Sequence, residues 1–424
     1  MRIKRLELKN FRGFEELTIN FPEAPNNVAV FVGVNGAGKT SVLEAIVNII
    51  QKFFDSMFEV KYSHEFTEFQ KHRNAKNIRK EYNEAEIVAE IINEILGIFK
   101  VDLKILKIGQ TKIDSPQEGK IINSTWDDAR NPREKFKKNT PISFFYPTDR
   151  FVKDNPNLNP INLGNIQPAD AFRQALSREI DFDAFFQWFR SIEDSENEQI
   201  RFTDNSKFRS KELEAVRKAI NIFLPNFKNP RVQRQPQEEL IVEKNGEKLS
   251  ISNLSHGERL MFAMVGDIAR RLSIANPDLD DPLQGEGVVL IDEIELHLHP
   301  GWQRKIVPLL TNTFPNIQFI ITTHSPVVLS TVKRENIFIL EDFKLVEKTP
   351  HTYGRDINSI LYQTFGVEER QPEVENEFRK LYALIDDPER VEEAKATLEK
   401  MKEKYGADDP ELIRADMHLE FLTN

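Results

Sequence analysis

Apolar positions along this chain fall into two periods, and each period predicts a different kind of element. Unbroken short apolar runs around Val28-Ala29-Val30-Phe31-Val32, Ile142-Ser143-Phe144-Phe145-Tyr146, Val288-Val289-Leu290-Ile291 and Ile317–Thr322 read as buried strands. The opening, Met1 to Lys9, alternates charged and apolar residues, a strand pattern and not that of a signal peptide. Val42-Leu43-Glu44-Ala45-Ile46-Val47 reads as the first turns of a helix, and Leu260, Phe262, Ala263, Val265, Ile268, Ala269 and Leu272 mark another. Residues 51–139 read as a mixed insertion. Within it, 83–99 is either helical or a strand followed by a turn, 100–113 is strand-like and 114–120 is turn-rich. From about Asn155 to Pro236 the pattern is mostly helical with polar breaks. Near the end, Leu381, Leu384 and Ile385 form one apolar stripe and Ala394, Leu398 and Met401 another. Asp387-Pro388 separates them, which predicts a helical hairpin with an acidic outer face.

Composition narrows the class. The 424 residues suit about three domains, or one large domain with insertions. With 39% apolar and 30% charged residues the chain is expected to be soluble and globular. No apolar run approaches the roughly 18 residues of a membrane helix, so no membrane partner is expected. Cysteine is absent, which excludes disulfides and thiolate metal sites; the cytoplasm is the expected compartment. The net charge of −10 is uneven: residues 365–424 hold 17 acidic and 9 basic side chains. That balance argues against broad coating of DNA. Residues 201–240 carry nine Lys or Arg against five acids, a local basic groove or a solvated helix face.

The glycine-rich stretch after the first buried run changes the picture most. Gly33-x4-Gly38-Lys39-Thr40 has phosphate-loop spacing between a strand and a helix. Its segment Asn35-Gly36-Ala37-Gly38-Lys39-Thr40-Ser41 is the candidate ATP cradle. Glycines let backbone N–H groups converge on phosphate, and the helix N-terminus adds positive potential. Lys39 reaches the β- and γ-phosphates, and the Thr40 hydroxyl is a candidate Mg2+ ligand. Asp292-Glu293 ends a later strand: Asp292 is the candidate Mg2+ carboxylate, through water, and Glu293 the candidate water-polarising base. Two solvated acids at a strand end would be the plain alternative. Thr323-His324-Ser325 ends the next strand, and His324 is the candidate γ-phosphate sensor. Ser255 and Glu258 have capping-box spacing before the second helix.

Ser255-His256-Gly257-Glu258 ahead of a helix, followed some 35 residues later by an apolar strand ending in Asp-Glu, resembles the signature motif of ABC-type ATPases. That resemblance implies a self-partnered, head-to-head homodimer in which Ser255, Gly257 and Glu258 of one chain reach the nucleotide of the other. The opening Asn10-Phe11-Arg12-Gly13-Phe14 and the segment Glu295-Leu296-His297-Leu298-His299-Pro300 are similar to the SMC/RecF branch, and place Arg12 near the nucleotide. His297 and His299 are read as dimer-contact or structural groups, with a metal the weaker alternative. Gln167 is a candidate sensor in the helical lobe.

Tyr353-Gly354-Arg355-Asp356, the Phe365-Gly366 hinge and the short acidic hairpin resemble the ATPase subunit of Septu anti-phage defence systems. This resemblance implies a His-Asn-His (HNH) nuclease partner of the PtuB-like kind, nucleic acid reached through that complex, and a possible assembly of dimers. About 80 residues follow Ser325, too few for a TOPRIM nuclease domain, so no nuclease site is expected in this chain. A DNA-repair ATPase similar to RecF, acting without a nuclease, is the alternative; a transporter energy subunit is a further one.

The expected fold class is α/β, an ABC-type P-loop NTPase head with a mixed-sheet nucleotide lobe, a helical signature lobe and a C-terminal helical hairpin. The expected partition is 1–50 and 285–364 for the nucleotide lobe, 51–139 for the insertion, 140–150 for a core strand, 151–284 for the helical lobe and 365–424 for the hairpin.

Overall fold

The computed structural model describes residues 1–23, 27–57, 77–93, 97–106, 121–123, 139–150, 166, 168–172, 175, 182–368 and 370–423. Two compact units emerge, Met1–Ile357 and Asn358–Asn424.

The first unit is built on two sheets with a helix between them. Strands β1 (Arg2–Phe11), β2 (Phe14–Asn20), β4 (Glu84–Asn93), β5 (Gly97–Leu106) and β6 (Ile121–Asn123) form an antiparallel sheet in the order β2-β1-β4-β5-β6. Strands β3 (Val28–Val32), β7 (Ile142–Tyr146), β11 (Gly287–Ile291), β12 (Ile317–Thr322), β13 (Ile337–Glu341) and β14 (Lys344–Leu345) form the second sheet in the order β14-β13-β3-β12-β11-β7. All its pairings are parallel except the β13–β14 edge. Every residue of β3, β7, β11 and β12 is buried, as parallel strands covered on both faces require. Helix α1 (Lys39–Met57) packs its apolar residues Val42, Leu43, Ala45, Ile46, Ile49, Ile50 and Phe53 into the core it shares with both sheets. Val42, Leu43, Ile46, Ile49 and Ile50 share one core with Leu6, Leu8, Ile87 and Ile91 and with Leu290 and Ile320.

One expectation is corrected and one open choice is decided here. Residues 84–106 are not an insertion: β4 pairs with β1 from Arg2↔Ile92 to Lys9↔Glu86, and so completes the first sheet. The open choice for 83–99 resolves as a strand over Glu84–Asn93. Ala85, Ile87, Ala89 and Ile91 point inward at period two, which a helix cannot present as one face. Within 51–139, residues 58–76, 94–96, 107–120 and 124–138 lie outside the described residues. The alternation of β1 also has a break. Ile3 and Leu6 are both buried although three apart, and a bulge between Ile3 and Arg5 restores the face. Buried Gln318 of β12 accepts from Ile3 N–H at 2.7 Å and donates to its carbonyl at 3.0 Å, joining the two sheets through one amide.

The helical lobe, expected over 151–284, carries a sheet of its own. Helices α2 (Phe182–Thr203) and α3 (Lys211–Phe223) are followed by β8 (Phe227–Gln233), β9 (Glu239–Lys244) and β10 (Glu247–Ser250) before α4 (His256–Ala275). Helical continuation stops at Pro225 and Pro230, and Asn245-Gly246, both at positive φ, closes the β9–β10 hairpin. Residues Leu260 to Ala275 of α4 are all buried. Inside it, Asp267 pairs with Arg270 at 2.7 Å and Arg271 at 2.8 Å, and accepts from the Tyr146 hydroxyl of β7 at 2.9 Å. Burial opposes ionisation of Asp267, yet the two guanidiniums hold its carboxyl below the usual range. Helix α5 (Pro300–Thr313) and the short α6 (Pro326–Leu329) flank β12 in sequence.

The second unit begins within α7 (Ile357–Phe365), whose first residue closes the first unit. The expected hairpin has a third member: α8 (Pro372–Ile385), α9 (Val391–Tyr405) and α10 (Pro410–Thr423) enclose a core of Phe378, Leu381, Ile385, Leu398, Leu412 and Leu419. Two short helices cannot bury both apolar stripes, and Leu412, Ala415 and Leu419 supply the missing face.

Candidate functional site

Strand β3 and helix α1 are joined by a tight turn from Gly33 to Gly38. Gly38 has φ +104°, and a Cβ there would stand 2.5 Å from the Phe14 ring. Glycine is therefore required twice over, by conformation and by space. Asn35 and Gly36 are exposed at the crest, while Ala37 is buried and donates its N–H to Val34 O at 3.2 Å. Lys39 is 6% exposed; its Nζ donates to Gly33 O at 2.9 Å and Val34 O at 3.0 Å. Burial lowers its pKa, and Asp292, Glu293 and Glu295 pull the other way.

The parallel order brings the ends of β11 and β12 beside this turn. Thr40 Oγ1 donates to Asp292 Oδ2 at 2.9 Å, and Thr322 Oγ1 donates to the other carboxylate oxygen. Thr322 Oγ1 also accepts from Glu293 N–H at 2.7 Å. Glu293 sits at φ +46°, a left-handed conformation that costs a non-glycine residue about 1–3 kcal/mol and is kept where surrounding contacts over-determine it. The guanidinium of Arg150, just beyond the end of β7, donates to Pro147 O at 2.9 Å, to Asp292 O, and to Glu293 O at 2.8 Å. Thr323 Oγ1 donates to Glu295 Oε2 at 2.7 Å, and the other Glu295 oxygen accepts the His324 backbone N–H. On the opposite side of α1's first turn, Arg12 donates to Ser41 Oγ at 3.2 Å and Asn77 Oδ1 at 3.1 Å, and pairs with Glu44. Lys39, Thr40, Asp292, Glu293 and His324, five residues from three separate segments, thus form one cluster, with Arg12 and Ser41 on its flank.

Ser255, Gly257 and Glu258 form a second cluster. Ser255 caps α4, and its capping box with Glu258 is complete. Glu258 pairs with Lys244 of β9 at 2.7 Å. Burial opposes its ionisation, but the Lys244 and Ser255 hydrogen bonds prevail and lower its pKa. A Cβ on Gly257 would lie 2.7 Å from His297 O, so the first turn of α4 rests directly on the segment after Glu293. The rings of His256 and His297 meet edge-on at 4.4 Å, and His299 Nδ1 accepts from Gly301 N–H to cap α5. His297 lies in a turn against the start of α4, and His299 is the N-cap of α5. Ser255 and Glu258 hydrogen-bond with each other and with Lys244, not with Lys39 or Thr40.

This arrangement has relatives. A family model described as "AAA domain, putative AbiEii toxin, Type IV TA system" matches residues 105–330, more than half of the chain, and an AAA ATPase domain model matches residues 1–159. Retron Ec83 probable ATPase of Escherichia coli is 30% identical over 99% of this chain and 87% of its own length. The chain belongs to this ATPase family.

Retron Vc95 probable ATPase of Vibrio cholerae serotype O1 biovar El Tor is also 30% identical, over 85% of this chain and 78% of that protein. Septu protein PtuA of Bacillus mycoides (strain KBAB4) is 24% identical over 95% of this chain and 50% of that protein. The present protein is thus an ATPase related to PtuA, with higher identity to the two retron ATPases than to PtuA. That puts the Septu resemblance of the tail alongside a second relationship. No helix among the described residues is long and apolar enough to cross a membrane.

Several residues of the candidate site escaped the sequence. Glu295 was legible as part of a motif variant, not as the carboxylate that holds the His324 segment. Thr322, Asn77 and Lys244 carried no signal; a Thr-Thr pair at a strand end beside acids is the one hint for Thr322. Gln167 lies outside the described residues.

His324 provides a pH prediction. Burial and the Lys39 charge lower its pKa below the ordinary 6.5, against the opposing pull of Glu295, Glu293 and Asp292. The imidazole is therefore neutral at pH 7. Folding excludes the proton, so the contribution of this group to stability is complete above 6.5 and is lost as pH falls through the lower folded value. Proton NMR of His324, assigned with His324→Gln, is expected to show a midpoint below 6.5; a midpoint above it would contradict the placement beside Lys39.

Proposed function

We propose that two copies of this ATPase close head-to-head on two Mg-ATP molecules, and that this closure regulates an associated HNH nuclease of the PtuB-like kind in Septu-like anti-phage defence. The observation that carries the proposal is the division of the site. The Lys39–Asp292–His324 cluster offers donors and carboxylates from one side. Ser255 and Gly257 form a separate helix N-terminus whose exposed serine has no partner at that cluster. A second copy brings the two halves together on one triphosphate.

Each residue has a role in this reading. Lys39 and the loop N–H groups bind phosphate, Glu293 polarises the attacking water, and His324 contacts the γ-phosphate. Arg12, on Ser41, steadies the start of α1. The Thr40 hydroxyl and the Asp292 carboxylate, adjacent hard oxygen donors, fit Mg2+, which when bound would neutralise charge on the β- and γ-phosphates. Binding energy goes into closing the dimer, and hydrolysis reopens it. Nucleic acid is reached through the nuclease complex, and dimers stack into a larger assembly.

The 30% identity to two retron ATPases, over 99% and 85% of this chain, favours a second reading, in which the same switch serves a retron system. The test is purification of the tagged protein from its native locus with and without Mg-ATP, followed by mass spectrometry. A stoichiometric HNH protein supports the nuclease reading, and retron components support the second. The ATPase alone, binding DNA when ATP is present, would replace both with a RecF-like repair role.

A further inference from the structure

Arg150 is 3% exposed, yet among the described residues it forms no ion pair with a carboxylate. Its partners are three backbone carbonyls, those of Pro147, Asp292 and Glu293. Burial draws its pKa down to about 10 against the fields of Asp292, Glu295 and Glu293, so it stays a cation at neutral pH. A buried guanidinium spent on carbonyls is an unusual use of charge, and its location explains it.

The β11 ladder ends at Ile291, opposite Tyr146, and Asp292 N–H extends it by one bond to Tyr146 O at 2.8 Å. The chain then leaves the sheet. Glu293 turns left-handed, its N–H held by Thr322 Oγ1 at 2.7 Å, and Ile294 N–H is held by Thr322 O at 3.1 Å. Strand β12 therefore secures the N–H side of this turn. The carbonyl side belongs to Arg150, which follows the opposite neighbour, β7. Its planar fork spans two successive carbonyls, a geometry that a lysine ammonium cannot reproduce.

We propose that Arg150 is a positioning residue for ATP hydrolysis: by holding the Asp292 and Glu293 carbonyls it keeps the Glu293 peptide left-handed, and so fixes the direction of the Glu293 carboxylate relative to Thr40 and Asp292. The proposal rests on the reading of Glu293 as the water-polarising group. Arg150 itself touches neither phosphate nor water in this scheme.

The test compares full-length wild type, Arg150→Lys, Arg150→Gln and Glu293→Gln. For both Arg150 variants kcat is expected to fall about ten- to a hundredfold, while KM and ATP affinity measured without Mg2+ stay within about threefold. Amide exchange is expected to quicken in peptides covering 290–296 and to stay unchanged elsewhere. An unchanged kcat, or loss of ATP affinity in step with kcat and faster exchange throughout the first unit, would overturn the proposal and leave Arg150 an ordinary packing residue. Should one variant not fold, the other must still show the split. Glu293→Gln separates the two failures. If that variant hydrolyses ATP normally, the catalytic reading fails, and the local exchange result alone decides whether Arg150 holds the turn.

Discussion

Glu293→Gln is expected to lower ATP hydrolysis by about 10²- to 10⁴-fold while leaving ATP bound, so that a closed dimer accumulates. The substitution keeps shape and volume. The hydrogen bonds that set the Glu293 backbone, from its N–H to Thr322 Oγ1 and from Arg150 to its carbonyl, do not involve the altered carboxylate. What is lost is a negative group able to take a proton from water. Light scattering with ATP should then report at least twice the monomer mass, persisting long after wild type has returned to its starting state. Adding Ser255→Arg should abolish that dimer without releasing ATP from Lys39, because a bulky cation at the exposed α4 cap blocks the opposite nucleotide. Wild-type hydrolysis by Glu293→Gln would refute the catalytic assignment. Intact closure in the Ser255→Arg double variant would refute the sandwich.

Lys39→Ala is expected to abolish ATP binding at ordinary concentrations. The ammonium is buried, hydrogen-bonded to two loop carbonyls, and lies in the field of Asp292, Glu293 and Glu295. Without it a triphosphate approaches three carboxylates with no buried cation at the loop to meet it. Truncating one partner of a buried charged pair costs about 2–5 kcal/mol, and at about 1.4 kcal/mol per decade that weakens binding roughly thirtyfold to several thousandfold. Isothermal titration with ATP measures this directly. Affinity within threefold of wild type would mean that Lys39 keeps its carbonyl partners when nucleotide arrives and does not contact phosphate.

The parts of this protein that were legible in its sequence share a property: their information is local. The Gly33–Thr40 turn works through its own backbone, and Gly38 must be glycine because of its own φ. Buried parallel strands announce themselves as apolar runs because both faces are covered, as in β3, β11 and β12. The Ser255–Glu258 capping box closes within four residues. Two acids at the end of an apolar strand, and a histidine at the end of the next, follow from the same local logic.

What depended on distant partners was misjudged or missed. Residues 84–93 carry too short a pattern to choose between helix and strand; pairing with β1, more than 70 residues earlier, decides it. The acidic tail shows two stripes, but their core closes when Leu412, Ala415 and Leu419 arrive from a third helix. Arg150 and Glu295 illustrate the limit most sharply. Their side chains act on the peptides of residues 292–293 and 323–324, and no residue type in the sequence marks a carbonyl or an N–H as the target. Sequence alone determined that this chain holds a glycine-rich loop of phosphate-binding spacing, a carboxylate pair and a capped helix. Tertiary structure decided that β3, β11 and β12 lie side by side, because hydrogen-bonded sheet order is a property of strands meeting across the core. That order turns separate motifs into one site.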